Sequence, residues 1–264
     1  MDKEKEKGAV VLPENAFREL KDGETYEPLM SPNKTYREVT PWSVTWGLVM
    51  VVLFSAAAAY LGLKVGQVFE AAIPIAIIAI GLSTATHRKN ALGENVIIQS
   101  IGACSGAVVA GGIFVMPAIY MLDLQADFIK IFIAAALGGI LGILFLIPFR
   151  KYFVKDMHGK YPFPEATATT QVLVSGGEGG SQAKPLLVAG LVGGAYDFIV
   201  ATFGWWNENV TSRMIGLGQD LADKAKLVLK VNTGAAVLGL GYIIGLRYAA
   251  IICAGSVFVW WIIV

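Results

Sequence analysis

Two carboxylates, Glu94 and Glu165, each open a polar stretch at the edge of a long apolar run. Proton relays inside membranes use carboxylates, so both are candidates for taking up and releasing a proton. Glu94 heads the series Glu94, Asn95, Gln99, Ser100 and Ser105, in which positions 95, 99 and 102–106 fall on one helical face. Such a stripe either lines a polar path or is spent locally, with Glu94 near the positive end of the helix and Gln99 bonding to a neighbouring helix. Glu165 follows Tyr161-Pro162-Phe163-Pro164 and precedes Ala166-Thr167-Ala168-Thr169-Thr170-Gln171. The prolines rigidify the approach and leave the acid in a first helical turn, where the helix dipole favours it. That pattern suits a re-entrant half-helix, and it equally suits a surface loop and helix leading into the flexible segment 175–180.

Four more candidates stand where a charge or amide is expensive. Lys64 and Gln67 belong to Gly62-Leu63-Lys64-Val65-Gly66-Gln67, between two apolar runs. This is either a broken helix lining a cavity or an interfacial turn with a snorkelling lysine. Arg247 lies two residues beyond Gly245 in a stretch of 34 residues with no other charge. It marks a cytoplasmic turn or meets an anionic substrate group near the midplane. Asp197, inside another apolar run, pairs with a basic residue at the rim or carries a proton.

Other chemistry has no foothold. The chain has no Gly-x-x-x-x-Gly-Lys-Ser/Thr phosphate loop, no His-Glu-x-x-His and no Gly-x-Ser-x-Gly elbow, so neither ATP-driven pumping nor hydrolysis is expected, and the protein reads as a non-enzyme. Cys104 and Cys253 have no partner at ligand spacing, so no metal or other cofactor is expected. The balance of 21 basic against 20 acidic residues gives no field for nucleic acid.

The elements that would hold these side chains are membrane helices. With 55% apolar and 16% charged residues, the composition is wrong for a water-soluble domain, which carries about 25% charged residues. Residues 1–40 hold sixteen of the charges and read as a hydrophilic tail; residues 41–264 read as a transmembrane domain. A first helix is expected over about 41–60, entered at Trp42 and Trp46, aromatic rings that favour the headgroup level. Further apolar runs follow at 71–86, 95–121, 131–149 and 185–203, with an amphiphilic helix over 207–230. The final stretch, 231–264, would be about 51 Å as one straight helix, too long for a bilayer, so a break is expected near 245–248. Its apolar end at Trp260-Trp261-Ile262-Ile263-Val264 suggests a longer functional protein. Basic residues concentrate at 87–93 and 150–184, which with the tail places these on the cytoplasmic side of a cell membrane. The expected fold is an all-α, multi-pass bundle of about seven membrane segments with broken or re-entrant helices. Small residues four apart, Gly102 with Gly106, Gly138 with Gly142, Gly190 with Gly194 and Gly241 with Gly245, mark close helix approaches.

Several blocks together resemble the oligopeptide transporter family, particularly its prokaryotic branch and the related yellow stripe-like metal-chelate transporters. They are Ala59-Tyr60-Leu61-Gly62-Leu63-Lys64-Val65-Gly66-Gln67, Gly93-Glu94-Asn95-Val96-Ile97-Ile98-Gln99-Ser100-Ile101-Gly102 and Ala110-Gly111-Gly112-Ile113-Phe114-Val115-Met116-Pro117-Ala118-Ile119-Tyr120. Ile147-Pro148-Phe149-Arg150-Lys151, Tyr161-Pro162-Phe163-Pro164-Glu165-Ala166-Thr167-Ala168 and Gly241-Tyr242-Ile243-Ile244-Gly245-Leu246-Arg247 continue it. The resemblance implies a secondary transporter, generally proton-coupled, of small peptides, peptide-like compounds or metal chelates. It also implies about sixteen membrane helices in a full member, so that this chain resembles an amino-terminal part that needs a carboxy-terminal half or a second copy as partner. A passive channel and a non-transporting scaffold are the alternatives. Under the transport reading, Glu94 or Glu165 couples protons; Lys64 or Arg247 holds an anionic end of the substrate; Gln67, Asn95, Gln99 and Tyr161 line the site within the bilayer.

Overall fold

The computed structural model describes residues 12–263 apart from 66, 67, 69, 126, 162 and 177–182. The described chain divides into two compact units, residues 1–183 and 184–264.

The first unit is built on a layer of three helices, α1 (Pro41–Val65), α2 (Ala72–Ala85) and α3 (Leu92–Met121). Local chemistry sets where they begin. Ahead of α1, the Thr40 N–H donates to Ser43 Oγ at 2.9 Å and the Ser43 N–H donates to Thr40 Oγ1 at 3.2 Å, a reciprocal cap, while Pro41 takes the first helical position, where a missing N–H costs nothing. Pro74 sits in the first turn of α2 for the same reason. Met50, Ile75, Ala79 and Ile98 form the buried core of this layer, with Trp42, Trp46 and Phe54 packed around it. Gly102 lets the layer close: a Cβ there would come within 2.9 Å of Ile75 Cγ2 and Cδ1 and 3.1 Å of Met50 Cβ. By contrast, Cβ atoms added at Gly138, Gly142, Gly190, Gly194 or Gly241 would meet open space. Of the small-residue pairs, it is thus the one in α3 whose glycine is seen in close packing.

A short helix, α5 (Pro164–Gly176), packs on α2; its residues Thr169, Leu173, Val174 and Gly176 are buried, and a Cβ on Gly176 would collide with Ile80. Between α3 and α5 runs α4 (Phe128–Lys151), continued by a π-turn over Tyr152–Asp156. Asp127 caps α4 by accepting the Ile129 N–H at 3.0 Å, and Arg150 and Lys151 occupy its last turn, where the negative helix end favours cations. None of its side chains is buried. Seventeen of its twenty-four residues are Phe, Ile, Leu or Ala, and an outward-facing surface of that kind suits hydrocarbon rather than water.

The second unit contains α6 (Ala183–Phe203), two three-residue strands, α7 (Gly216–Ala225), α8 (Ala235–Ile244) and α9 (Leu246–Phe258). The stretch 207–230, expected as one amphiphilic helix, is a correction. Strands β1 (Asn209–Thr211) and β2 (Lys230–Asn232) pair antiparallel, with Val210 opposite Val231, and only ten residues between them are α-helical. The β-branched Val210, Thr211 and Val231 favour extended backbone, and Lys226, left-handed at φ 58°, ends α7. The break expected near 245–248 falls at Gly245, whose φ of 80° and ψ of 161° lie in a region essentially reserved for glycine. There α8 and α9 bend by 119°. Asp197 finds a backbone partner instead of a base, accepting the Ala235 N–H at 2.8 Å and capping α8.

Among the described residues, three helices are long and apolar enough to cross a membrane, Pro41–Leu63, Leu92–Met121 and Phe128–Asp156. The bent α8–α9 pair adds a fourth if counted as one span, and α2 and α6 are shorter apolar helices. The fold is that of a multi-pass, helical membrane protein.

Candidate functional site

The α3 helix turns about 100° per residue, so its polar positions separate onto two neighbouring faces. Asn95, Ile98, Gly102 and Ser105 are buried against the helical layer. Asn95 Nδ2 donates to Ser83 Oγ at 3.1 Å on α2, leaving Asn95 Oδ1 without a partner. Leu92, Val96, Gln99 and Ala103 look instead into a cavity of about 450 Å³. Ala166, Thr169, Thr170, Leu173 and Val174 of α5 form a second wall, Ala72 of α2 a third, and Leu12, Tyr26, Leu29 and Met30 of the tail a fourth. Two carboxylates, Glu70 and Glu165, sit on this lining. The volume suits a small organic solute, and apolar walls with a few convergent polar groups are the ordinary make-up of a ligand pocket.

The two carboxylates named from the sequence have different surroundings. Glu94, 3% exposed, receives two bonds from Arg88, Nε to Oε2 and Nη2 to Oε1, each 2.7 Å, and a third from Thr40 Oγ1 at 2.7 Å. Arg88 in turn lies over the Trp42 ring, 5.0 Å from its centroid. This cluster ties the α2–α3 turn to the start of α1, and Glu94 is not on the cavity lining. Glu165 is half-buried on α5, which is too short to cross a membrane. Desolvation by burial, reinforced by the negative charge of Glu70, pushes its carboxyl above the ordinary carboxylate range. A carboxyl so placed takes a proton more readily than a solvated one.

The remaining candidates are dispersed. Lys64 occupies the last turn of α1, its side chain beyond the described atoms, and Gln67 lies outside the described residues. Tyr161 is exposed between Phe153 and Phe163, with ring centroids 6.1 and 6.3 Å away. Arg247, in the second unit, starts α9 just past the Gly245 bend, its guanidinium 5.9 Å from the Tyr248 ring centroid. The structure therefore brings Gln99 and Glu165 to one cavity and adds Glu70, Tyr26 and Met30, which reading the sequence did not single out. Glu70 lies just beyond the 62–67 stretch, a carboxylate two residues ahead of the start of α2. Tyr26 and Met30 gave no signal, being ordinary residues of a charged tail.

A family model described as OPT oligopeptide transporter protein matches residues 38–264. A protein of Haemophilus influenzae named "Putative oligopeptide transporter" is 30% identical over 205 residues, which are 76% of this chain and 31% of that relative. The chain thus spans under a third of the length of the curated relative it matches. No solved structure matches it.

Proposed function

The chain belongs to the OPT oligopeptide transporter family, and from that premise we propose that it takes part in proton-coupled uptake of small peptides, peptide-like compounds or metal chelates by alternating access. The observation that carries the reading is the cavity between α3 and α5, where Gln99, Thr170 and two carboxylates converge on apolar walls. In this reading Glu165 is the coupling group. Its half-buried position beside a second carboxylate favours the protonated form when the site is closed, and opening to the low-proton side releases the proton. Glu94 serves instead as an anchor, since Arg88 and Thr40 already hold its carboxylate. Gln99 and Thr170 supply hydrogen bonds to the solute, Glu70 pairs with its cationic or amine-bearing end, and Lys64 with its anionic end. Alternating access requires an element that moves against a fixed frame. The α1–α2–α3 layer, closed by its core, is the frame, and α5 with its proline-rich entry is the mobile piece. The tail and the basic loops at 87–93 and 150–184 lie on the cytoplasmic face of the cell membrane in this scheme.

The test is uptake of a mixed library of short peptides and metal chelates into proteoliposomes, with and without an inward proton gradient. It is run with this chain and with a version carrying the remaining length of its relative. Gradient-dependent accumulation supports the reading, and Glu165→Gln removes the dependence on the gradient while membrane insertion persists. Equal flux with and without the gradient overturns it in favour of a passive pore.

A further inference from the structure

The family match begins at residue 38, yet four residues before it, Leu12, Tyr26, Leu29 and Met30, wall the cavity. This segment is held down at both ends of the site. At one end, His158 Nε2 and the Asn15 carbonyl oxygen are 2.9 Å apart, and the Tyr26 ring packs on the His158 ring with centroids 5.0 Å apart. Beside His158, Gly159 takes a φ of 73°, and a Cβ on it would fall on the Arg18 and Glu19 backbone, so tail and turn are in direct main-chain contact. At the other end, a Cβ on Gly93 would lie 2.7 Å from the Arg37 carbonyl oxygen, against the start of α3.

Between these points the segment folds on itself. Arg18 Nη1 and Nη2 donate to Glu24 Oε2 and Oε1, both at 2.8 Å, and the Lys21 N–H donates to Glu24 Oε2 at 3.0 Å around a turn at Gly23. The Arg18 hydrogen bonds hold the Glu24 carboxyl down at about 2, so the loop keeps its ion pair at any physiological pH.

We propose that residues 12–37 are a strap over the transport cavity, latched by Tyr26 on His158, and that the latch must open for a solute to leave the cavity on the tail's side. Tyr26 is the pivotal residue because one ring both lines the cavity and makes the latch. The strap therefore contributes to solute selection as well as to closure. Leu12, Leu29 and Met30 face the solute with apolar surface, and a bulky polar solute displaces them only by lifting the strap. The strap's role in transport rests on the cavity being the solute site; its closure of the cavity does not.

The test uses a background with Cys104→Ser and Cys253→Ser and a reporter thiol introduced by Ala103→Cys in the half-buried α3 wall of the cavity. Tyr26→Ala combined with His158→Ala removes the latch, and Gly159→Val wedges the turn away from Arg18. Each raises the rate of reporter labelling by a water-soluble maleimide from the tail's side by roughly tenfold, the size set by one ring contact and one hydrogen bond. Labelling at the wild-type rate in both variants overturns the strap. In a second version without the reporter, Tyr26→Cys and His158→Cys are joined by a short, reducible thiol cross-linker. Cross-linking stops uptake and reduction restores it; uptake unaffected by the cross-link also overturns the proposal. If no version transports any solute, the function proposed above fails while the labelling rates still decide whether the strap closes the cavity.

Discussion

Adding one methyl group at Gly102 tests the packing that fixes α3, and with it Gln99, against the cavity. The Cβ of Gly102→Ala would stand 2.9 Å from two atoms of Ile75, a side chain with no exposed surface, and 3.1 Å from Met50 Cβ, 4% exposed. Neither neighbour has a free direction in which to retreat. Over-packing of this kind costs about 1–3 kcal/mol, and exchanging glycine for alanine within a helix returns about 1 kcal/mol. The net loss is therefore about 0–2 kcal/mol. The informative experiment is the double-mutant cycle with Ile75→Val, which deletes Cδ1 and leaves Cγ2 in place. Alone, Ile75→Val costs about 0.5–1.5 kcal/mol. In the Gly102→Ala background it removes one of the two clashes, so the pair is less destabilised than the sum of the singles by at least about 0.5 kcal/mol. Reversible unfolding in mixed detergent micelles, followed by tryptophan fluorescence, measures all four corners. Additivity within about 0.3 kcal/mol would refute direct contact between α3 and α2 at this point.

Three further outcomes are expected. Glu165→Gln stabilises the protein at neutral pH: a carboxyl raised in the folded state contributes stability below its unfolded value near 4.3 that is lost as pH rises through the raised value, so the variant's advantage in melting temperature shrinks toward pH 4. A pH-independent difference in melting temperature would contradict the burial of that carboxyl. Gly245→Ala strains a backbone at φ 80° by about 1–3 kcal/mol, and spin labels on α8 and α9 report a changed interhelical angle or a loss of folded protein. Asp197→Ala removes the acceptor for the Ala235 N–H and costs about 0.5–2 kcal/mol of thermal stability, whereas Asp197→Asn, which keeps an acceptor, costs less.

Hydrophobic runs made most of the helices legible, because in lipid a backbone must bond to itself and long apolar segments have few other conformations. The expected start at Pro41 and the break at Gly245 coincide with observed features for local reasons: a proline at a first helical position and a glycine where φ turns positive. The stretch 207–230 misled because Leu217, Leu221 and their neighbours repeat at helical spacing, while the pairing of Val210 with Val231 depends on residues twenty-one apart. Site residues were harder still. Glu165 announced itself through the prolines ahead of it, whereas Glu94 and Asn95 looked equally suited to chemistry. Their packing onto Arg88, Thr40 and Ser83 follows from how α1, α2 and α3 meet, which no local pattern encodes. Tyr26 and Met30 became wall residues because the tail crosses the cavity, a long-range contact invisible in its charged, turn-rich composition.

The most direct test of the central claim, that the α3–α5 cavity couples solute to proton movement through Glu165, is the current evoked by solute on a solid-supported membrane. The protein is adsorbed in proteoliposomes and a transported peptide or chelate is applied without any imposed gradient. The wild type gives an inward positive transient that Glu165→Gln abolishes, with binding of the same solute retained. A transient of unchanged size and pH dependence in Glu165→Gln would contradict it.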